Sequence, residues 1–482
     1  MLWMALHFHS LPLEIFARGV PQTVLLAVVS SSGVNATVVA CNSAARRCGV
    51  RDGMPVSAAW ALASDLKIAV RDAGAERAAL ERIAAWALQF TPTVNITPPA
   101  DVLLELAGSL KLFGGLHHLR VQVRKGLSAI GYSAVIACAP TPFAAQLFAR
   151  AGLSVKIERQ DALLRGLGRL PVELLDQPPG IISTLRDIGV RTLGDCLALP
   201  RDGLARRFGP NLLDGLDRAL GSIPDPRANF VPPPAFAASL ELPAPVIQSE
   251  MLLFAARRLL VELCGFLAAT GSGAQHLRFV LAHEDRVGTQ VEMKLVAASR
   301  DPVHLSEILR ERLSRVSLPC PATAITLTSE GLLPLSSHNL SFLPDSSQRT
   351  RVVARLIERL RARLGDDAVA GLAAVADHRP ECAWRVCKPG NDGVTDELPY
   401  HPPFSRPLWL LHCPQPLKEV ASIPCCDGPL TLLAGPERIE SGWWDEGEVA
   451  RDYFIARNYA SLLWIYRERR GSGCWYLHGI FG

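Results

Sequence analysis

The chain has 482 residues, 49% of them apolar and 20% charged, which excludes a disordered protein and fits an ordinary globular one. Fifty lysines and arginines stand against 46 acids, and a net charge of +4 is too small for a generally basic nucleic-acid binder. Any basic surface must therefore be local, and the length predicts about three or more domains of roughly 100–200 residues.

The opening MLWMALHFHSLPLEIF is apolar but lacks a cationic start and a small-residue cleavage site, so no signal peptide is expected. It alternates like a strand. A helix follows, then strands TVLLAVVS and NATVVACN, then a helix from Ser43 stopped by GVRDGMP. Residues 75–92 space their apolar side chains as a helix does. TVNITP and DVLLELAG read as paired strands separated by Pro98 and Pro99, GLHHLRVQVRKGLSAIG as an amphipathic helix, and YSAVIACAP as a buried strand. Such a mixture predicts an α+β domain over residues 1–165.

Residues 166–230 read as short helices, ending in a proline-rich linker, IPDPRANFVPPPAF. From 237 to 335 the predicted order is β-α-β-β-α-β, a ferredoxin-like pattern. A polar loop (336–348), then a basic helix from Arg349 and a strand-rich aromatic tail, set off 349–482 as a C-terminal region. No run approaches the ~20 apolar residues of a membrane span, so no membrane association is expected. Cys41, Cys48, Cys138, Cys196 and Cys264 stand singly, and neither Cys382/Cys387 nor Cys425/Cys426 has a usual zinc spacing. Incidental thiols in a reducing, cytoplasmic compartment are expected.

Three features together resemble the Y-family translesion DNA polymerases. ARRCGVRDGMP (residues 45–55) is similar to their fingers motif, A-R-x-x-G-V-x-x-G-M. IGVRTLGDCLALP is similar to their thumb, and the linked ferredoxin-like domain resembles their little finger. LELAGSLKLFGG, HRPE at 378–381 and the terminal RIESGWWDEGEVARDYFIARN…WYLHGIFG further resemble the polymerase-like subunits of bacterial SOS mutagenesis cassettes. The resemblance implies an α+β right hand: palm and fingers over 1–165 (fingers approximately 18–72), thumb over 166–230, little finger over 237–335, then a C-terminal extension.

Such polymerases transfer phosphoryl groups with two divalent metals about 3.5–4 Å apart. Magnesium takes oxygen ligands, above all carboxylates. The resemblance implies one acid at the end of the first strand and an acidic pair between the central palm strands. Here His7 and His9 hold the first place, alternating on a strand and so facing one side. At the second, Ala100 takes the principal ligand's position and Asp101 is left alone, read as a loop acid. Glu14 lies beyond Pro12 on the following helix, and Glu105 matches an acid that is not a main ligand in the family. Two histidines without a third ligand do not make a transition-metal site. No metal or other cofactor is expected. In the fingers, Arg46 matches a triphosphate contact, but Ser43 stands where the family has tyrosine; Arg46 and Arg47 also read as plain solvated charges. His117 and His118 read as surface and core-edge residues. The expectation is a non-catalytic pseudo-polymerase. The alternative is an active translesion polymerase using Asp101, Glu105 and Glu14 in a shifted arrangement.

Binding is what would remain. Candidate DNA contacts are Arg201, Arg206 and Arg207 in the thumb, and Arg278, Arg286, Lys294 and Arg300 on or beside the little-finger strands. All would meet phosphate rather than base edges, giving sequence-independent, salt-sensitive grip on primer–template DNA; ordinary surface charge is the other reading. PPGIIST offers one glycine where a strong helix–hairpin–helix shows G-x-G. Asn339, Leu340, Ser341, Phe342 and Leu343 resemble the Gln-Leu-Ser-Leu-Phe peptide that docks on the sliding clamp; a short strand packed on its own domain is the other reading. RTRVVARLIERLRARLG spaces Leu356, Leu360 and Leu364 four apart among arginines, as a DNA-touching, membrane-surface, partner or merely solvated helix. By the resemblance, the C-terminal region recruits a RecA-like accessory protein and an error-prone C-family DNA polymerase. By residues alone it is a folded aromatic β module.

Overall fold

The computed structural model describes residues 1–18, 23–33, 35–284, 286–335, 346–389, 405–471 and 473–482. They form two compact units, Met1–Arg363 and Leu364–Gly482.

Strand β1 (Trp3–His7) sends Met4 and Leu6 to one face and Trp3 and Ala5 to the other. Helix α1 (Leu11–Ala17) leads to a small sheet of β2 (Leu26–Val29), β3 (Val38–Cys41) and β4 (Lys67–Val70), ordered β3-β2-β4, with helices α2 (Ser43–Arg47) and α3 (Val56–Leu62) between β3 and β4. Neither α3 nor β4 was expected; the exposed, four-residue KIAV carries little pattern. Helix α4 (Ala73–Ala87) starts where the Asp72 side chain accepts from Ala75 N at 2.9 Å. It is followed by β5 (Val94–Thr97), β6 (Asp101–Glu105), α5 (Leu116–Ile130) and β7 (Val135–Ala139). The main sheet runs β5-β6-β1-β7, antiparallel throughout, with α4 and α5 packed on its Met4/Leu6 face.

Helix α6 (Pro142–Arg150) covers the opposite face, burying Ala144, Ala145 and Phe148 in one core with Trp3 and Ala5. Helices α7 (Gln160–Leu167), α8 (Pro179–Asp187), α9 (Leu193–Ala198), α10 (Arg201–Phe208) and α11 (Pro210–Leu220) extend that core through Leu163, Leu185, Leu193, Leu204 and Leu216. The proline-rich segment beyond them is not loose: Phe230 N donates to Val94 O (2.8 Å) and Asn95 Nδ2 to Ala228 O (2.7 Å), along the outer edge of β5.

Next come β8 (Phe236–Val246), α12 (Leu253–Ala269), β9 (Ser272–Ala282), β10 (Thr289–Ser299), α13 (Pro302–Leu313), β11 (Ala322–Ser329) and the short β12 (Leu333–Pro334). The β-α-β-β-α-β order is the expected one. In space the strands run β10-β9-β11-β8, all antiparallel, so the last long strand lies between the first and second; element order alone leaves that open. Helices α12 and α13 cover one face. Helix α14 (Ser346–Leu364) packs on this domain through Ala354, Glu358 and Ala362. The expected boundary is thereby corrected: most of the basic helix belongs to the first unit, and the second begins at Leu364.

Helix α12 also docks this domain on α4 and α5. Trp86 lies between two glycines: a Cβ on Gly126 or Gly265 would stand 2.3 Å from its ring. Gly265→Ala is expected to overpack that contact and cost about 1–3 kcal/mol, read as a lower urea midpoint. Beside it lies a buried charge group. Arg18 donates to Ile130 O (2.9 Å), the Tyr132 hydroxyl (3.0 Å) and Glu262 on α12, while Arg82 sits 3.8 Å from the same carboxylate.

The second unit holds a hairpin, β13 (Gly371–Ala374) with β14 (Trp384–Cys387). Its main sheet contains β15 (Trp409–Val420), β16 (Ile423–Cys425), β17 (Thr431–Ser441), β18 (Val449–Arg457), β19 (Leu462–Glu468) and β20 (Trp475–Ile480), ordered β16-β15-β20-β19-β18-β17. The aromatic β module expected from the tail is this antiparallel sheet. Among the described residues no helix is long and apolar enough to cross a membrane.

Candidate functional site

The β1–β6 register sets His7 directly opposite Asp101. Asp101 is not a loop acid: it is the first residue of β6 and has no exposed surface. Its two oxygens are fully engaged. His7 Nδ1 donates to Oδ1 at 2.7 Å, and Gln146 Nε2 (2.9 Å) and Arg150 Nε (2.8 Å) donate to Oδ2. Gln146 and Arg150 lie four apart on α6, so one face of that helix supplies both. Burial alone would raise the Asp101 carboxyl; the His7 hydrogen bond, the Arg150 charge and the Gln146 hydrogen bond outweigh it and hold it below its usual range.

The other acids do not join it. Glu105 sits at the far end of β6, opposite Trp3, about 14 Å away at roughly 3.4 Å per residue. Its carboxylate accepts from Ala107 N at 3.1 Å. Glu14, on α1, accepts from Ser133 N at 3.0 Å and from the Ser133 hydroxyl, and burial pushes its carboxyl up. His9 is also corrected: β1 ends at His7, and His9 lies in the turn beyond it, so the two do not alternate on one strand. Ala100 offers only its carbonyl, which accepts from Phe8 N at 2.8 Å. Among the described residues no group of three His, Cys, Asp or Glu is placed to hold a metal. These residues do not fit the paired magnesium ions of a polymerase.

A cleft of about 530 Å³ opens between α1 and α2, lined by His9, Glu14, Ser43, Arg46, Ser133 and Arg258 among others. Asn42 builds its α2 wall, accepting from Ala45 N (2.9 Å) and donating to Val24 O (2.6 Å). Arg46 pairs with Asp52 at 3.2 Å. Cys41 and then Asp52 hold its guanidinium above its ordinary range, so it stays cationic. Burial, His7 and Arg46 push His9 down and keep it neutral near pH 7. His117 and His118 are both exposed on α5, outside the cleft.

The candidate DNA contacts divide between α10 and the β9–β10 region. Arg206 and Arg207 are exposed in the last turn of α10, whereas Arg201 is held by Asp217 of α11. Arg278 and Lys294 share the open face of the β9–β10 pair, both about 3.5 Å from Glu292, which partly cancels them. Arg286 lies in the turn between those strands and Arg300 beyond the opposite end of β10; both are exposed. The clamp-like segment Asn339–Leu343 lies outside the described residues.

In the second unit the quoted motifs meet, a convergence their wide spacing in sequence gave no sign of. Arg379 of HRPE bonds Asp377 (2.7 Å), Asp445 (2.6 Å) and Gly447 O (3.1 Å) of the WWDEGE turn. Glu381 accepts from Arg451 (2.8 Å), whose guanidinium also reaches the Tyr453 hydroxyl (3.1 Å). That hydroxyl lies 2.8 Å from His478 Nδ1, and the Tyr453 ring stacks on Trp464 at 4.1 Å. The motif residues thus tie the sheet to the 377–381 segment, while Trp443 and Trp444 stay exposed.

Residues 21–150 match the impB/mucB/samB family model. The chain is 28% identical over 461 residues to Protein ImuB of Caulobacter vibrioides, in two strains, covering 90% of this chain and 100% of the relative. Among solved structures, a Y-family polymerase chimera of Dbh and Dpo4 aligns at 18% identity and TM-score 0.41, over 69% of this chain and 99% of that one. DinB from Sulfolobus solfataricus aligns at 18% identity and TM-score 0.40, over 70% and 100%. Residues 21–150 thus form an impB/mucB/samB-family domain, and along 90% of its length the chain is similar to Protein ImuB.

Proposed function

We propose that the protein is a non-catalytic Y-family-like adaptor in damage-induced mutagenic translesion DNA synthesis. It holds primer–template DNA weakly, docks on the sliding clamp and brings an error-prone C-family polymerase with a RecA-like accessory protein. The carrying observation is the state of Asp101: the one acid left at the metal position is consumed by His7, Gln146 and Arg150. A dication there would have to displace a partly buried guanidinium and would gain a single carboxylate. Arg46, at the mouth of the α1–α2 cleft, is the candidate for residual phosphate contact. The palm, fingers, thumb and little finger correspond in this reading to the two sheets of residues 1–139, the helices of 142–220 and the sheet domain of 236–334.

The purified chain is expected to extend no primer with magnesium or manganese. Metal-dependent incorporation that co-elutes with the chain through successive columns would replace this reading with the active polymerase. For clamp docking, Leu340→Ala with Phe342→Ala is expected to abolish retention on immobilised clamp, and unchanged retention would move the contact elsewhere. Support for the clamp and the two protein partners comes from the sequence resemblance.

A further inference from the structure

Helix α14 is packed inside out. An amphipathic helix ordinarily buries its large aliphatic stripe and exposes its charges. Here the buried stripe is Ala354, Glu358 and Ala362, at 7%, 4% and 0% exposure, while Val352, Val353, Leu356 and Leu360 stand 68%, 53%, 55% and 38% exposed. At 3.6 residues per turn these four lie on the side opposite the packed stripe, with Arg359 and Arg363 beside them.

This orientation is bonded in place. Glu358, the helix's only acid, takes the His304 Nε2 proton donor at 2.6 Å and accepts from Val296 N at 2.7 Å. Arg355 adds an ion pair with Asp301 at 2.8 Å. Rolling the leucines inward would strip a buried carboxylate of all its partners. The aliphatic stripe therefore stays outward, framed by a helix that carries six arginines and one glutamate.

We propose that the outward face of α14 is a docking surface for an acidic amphipathic segment of a partner protein, its leucine-like side chains on Leu356 and Leu360 and its carboxylates against Arg359 and Arg363. Charge selects the occupant. A second copy of this chain would set arginine rows against each other. Duplex DNA would desolvate four aliphatic side chains for no apolar return, since its affinity comes from phosphates. A bilayer is disfavoured because the face has no aromatic anchor and the helix is already seated on a folded domain. The inference stands without the adaptor reading, because its test contains neither clamp nor DNA synthesis.

The test uses the full chain and a labelled synthetic helical peptide with leucines at a and d and glutamates at e and g. Saturable, salt-weakened binding is expected by fluorescence anisotropy, falling at least about tenfold, the equivalent of 1.4 kcal/mol, for Leu356→Glu with Leu360→Glu. Both leucines are exposed, and an unchanged melting curve verifies folding of the variant. Independently, Arg359→Glu with Arg363→Glu should transfer the preference to a peptide with lysines at e and g. The proposal is overturned if the glutamate peptide does not bind, if the leucine variant binds it equally, or if the charge swap leaves the preference in place. Phosphatidylserine vesicles or duplex DNA binding through Leu356 and Leu360 in its stead would overturn it as well.

Discussion

Asp101→Ala is expected to destabilise the first unit by about 3–5 kcal/mol at pH 7, the usual cost of stripping one partner from a buried ion pair. It would leave Arg150, Gln146 and the His7 ring facing a cavity, and Arg150 would keep only the exposed Asp176. A carboxylate retained to bind metal behaves oppositely, because removing it relieves strain in a site built for function rather than stability. The pH dependence follows from the same bonds. The folded-state carboxyl is lowered relative to about 3.9 in the unfolded chain, so its contribution is complete above that value and is lost as pH falls through the folded one. Urea unfolding of wild type and variant should therefore differ above about pH 4 and converge below it. Equal midpoints at pH 7 would mean that Asp101 is not committed to this network.

Glu262→Ala is expected to cost a similar 3–5 kcal/mol or so, and to change the shape of unfolding as well. Glu262 is 1% exposed on α12, while Arg18 and Arg82 come from the opposite side of the contact. Without the carboxylate, Arg18 retains only Ile130 O and Tyr132, and its buried charge is unopposed. Scanning calorimetry should then resolve the 236–363 part from the rest as a separate, earlier transition. The double variant Arg18→Met with Glu262→Leu should recover most of the loss, because matched apolar side chains substitute well for a buried pair. A lone Glu262→Ala that melts like wild type would sink this account of the docking.

What could be read from the residues follows from how local each signal is. The strands around Pro98 and Pro99, the helix over Leu116–Ile130 and the β-α-β-β-α-β order were legible because hydrophobic period and turn residues declare them within a dozen positions. That positions 7, 9 and 100 carry no acid was equally legible. What became of Asp101 was not, because its partners arrive on α6, 45 and 49 residues later, where Gln146 and Arg150 look like ordinary helix residues. His9 was misplaced because apolar alternation continues past His7, while the ladder stops where β6 begins. The joining of HRPE to the WWDEGE turn was hidden for the same reason: Arg379 and Asp445 are 66 positions apart. Period and composition assigned α14 a helix but not the side it turns inward, which a single buried glutamate decides.

The bonded passage at residues 227–230 bears on how the halves of the first unit would meet the DNA of the proposed function. A stretch that composition marks as slack is laced to the rim of β5, so most of the conformational freedom of the crossing has already been surrendered. The bonds along β5 thereby help fix the placement of the 236–334 sheet domain in advance. In the proposed adaptor, less entropy would then remain to be lost on association, so that even a modest, charge-balanced surface would suffice.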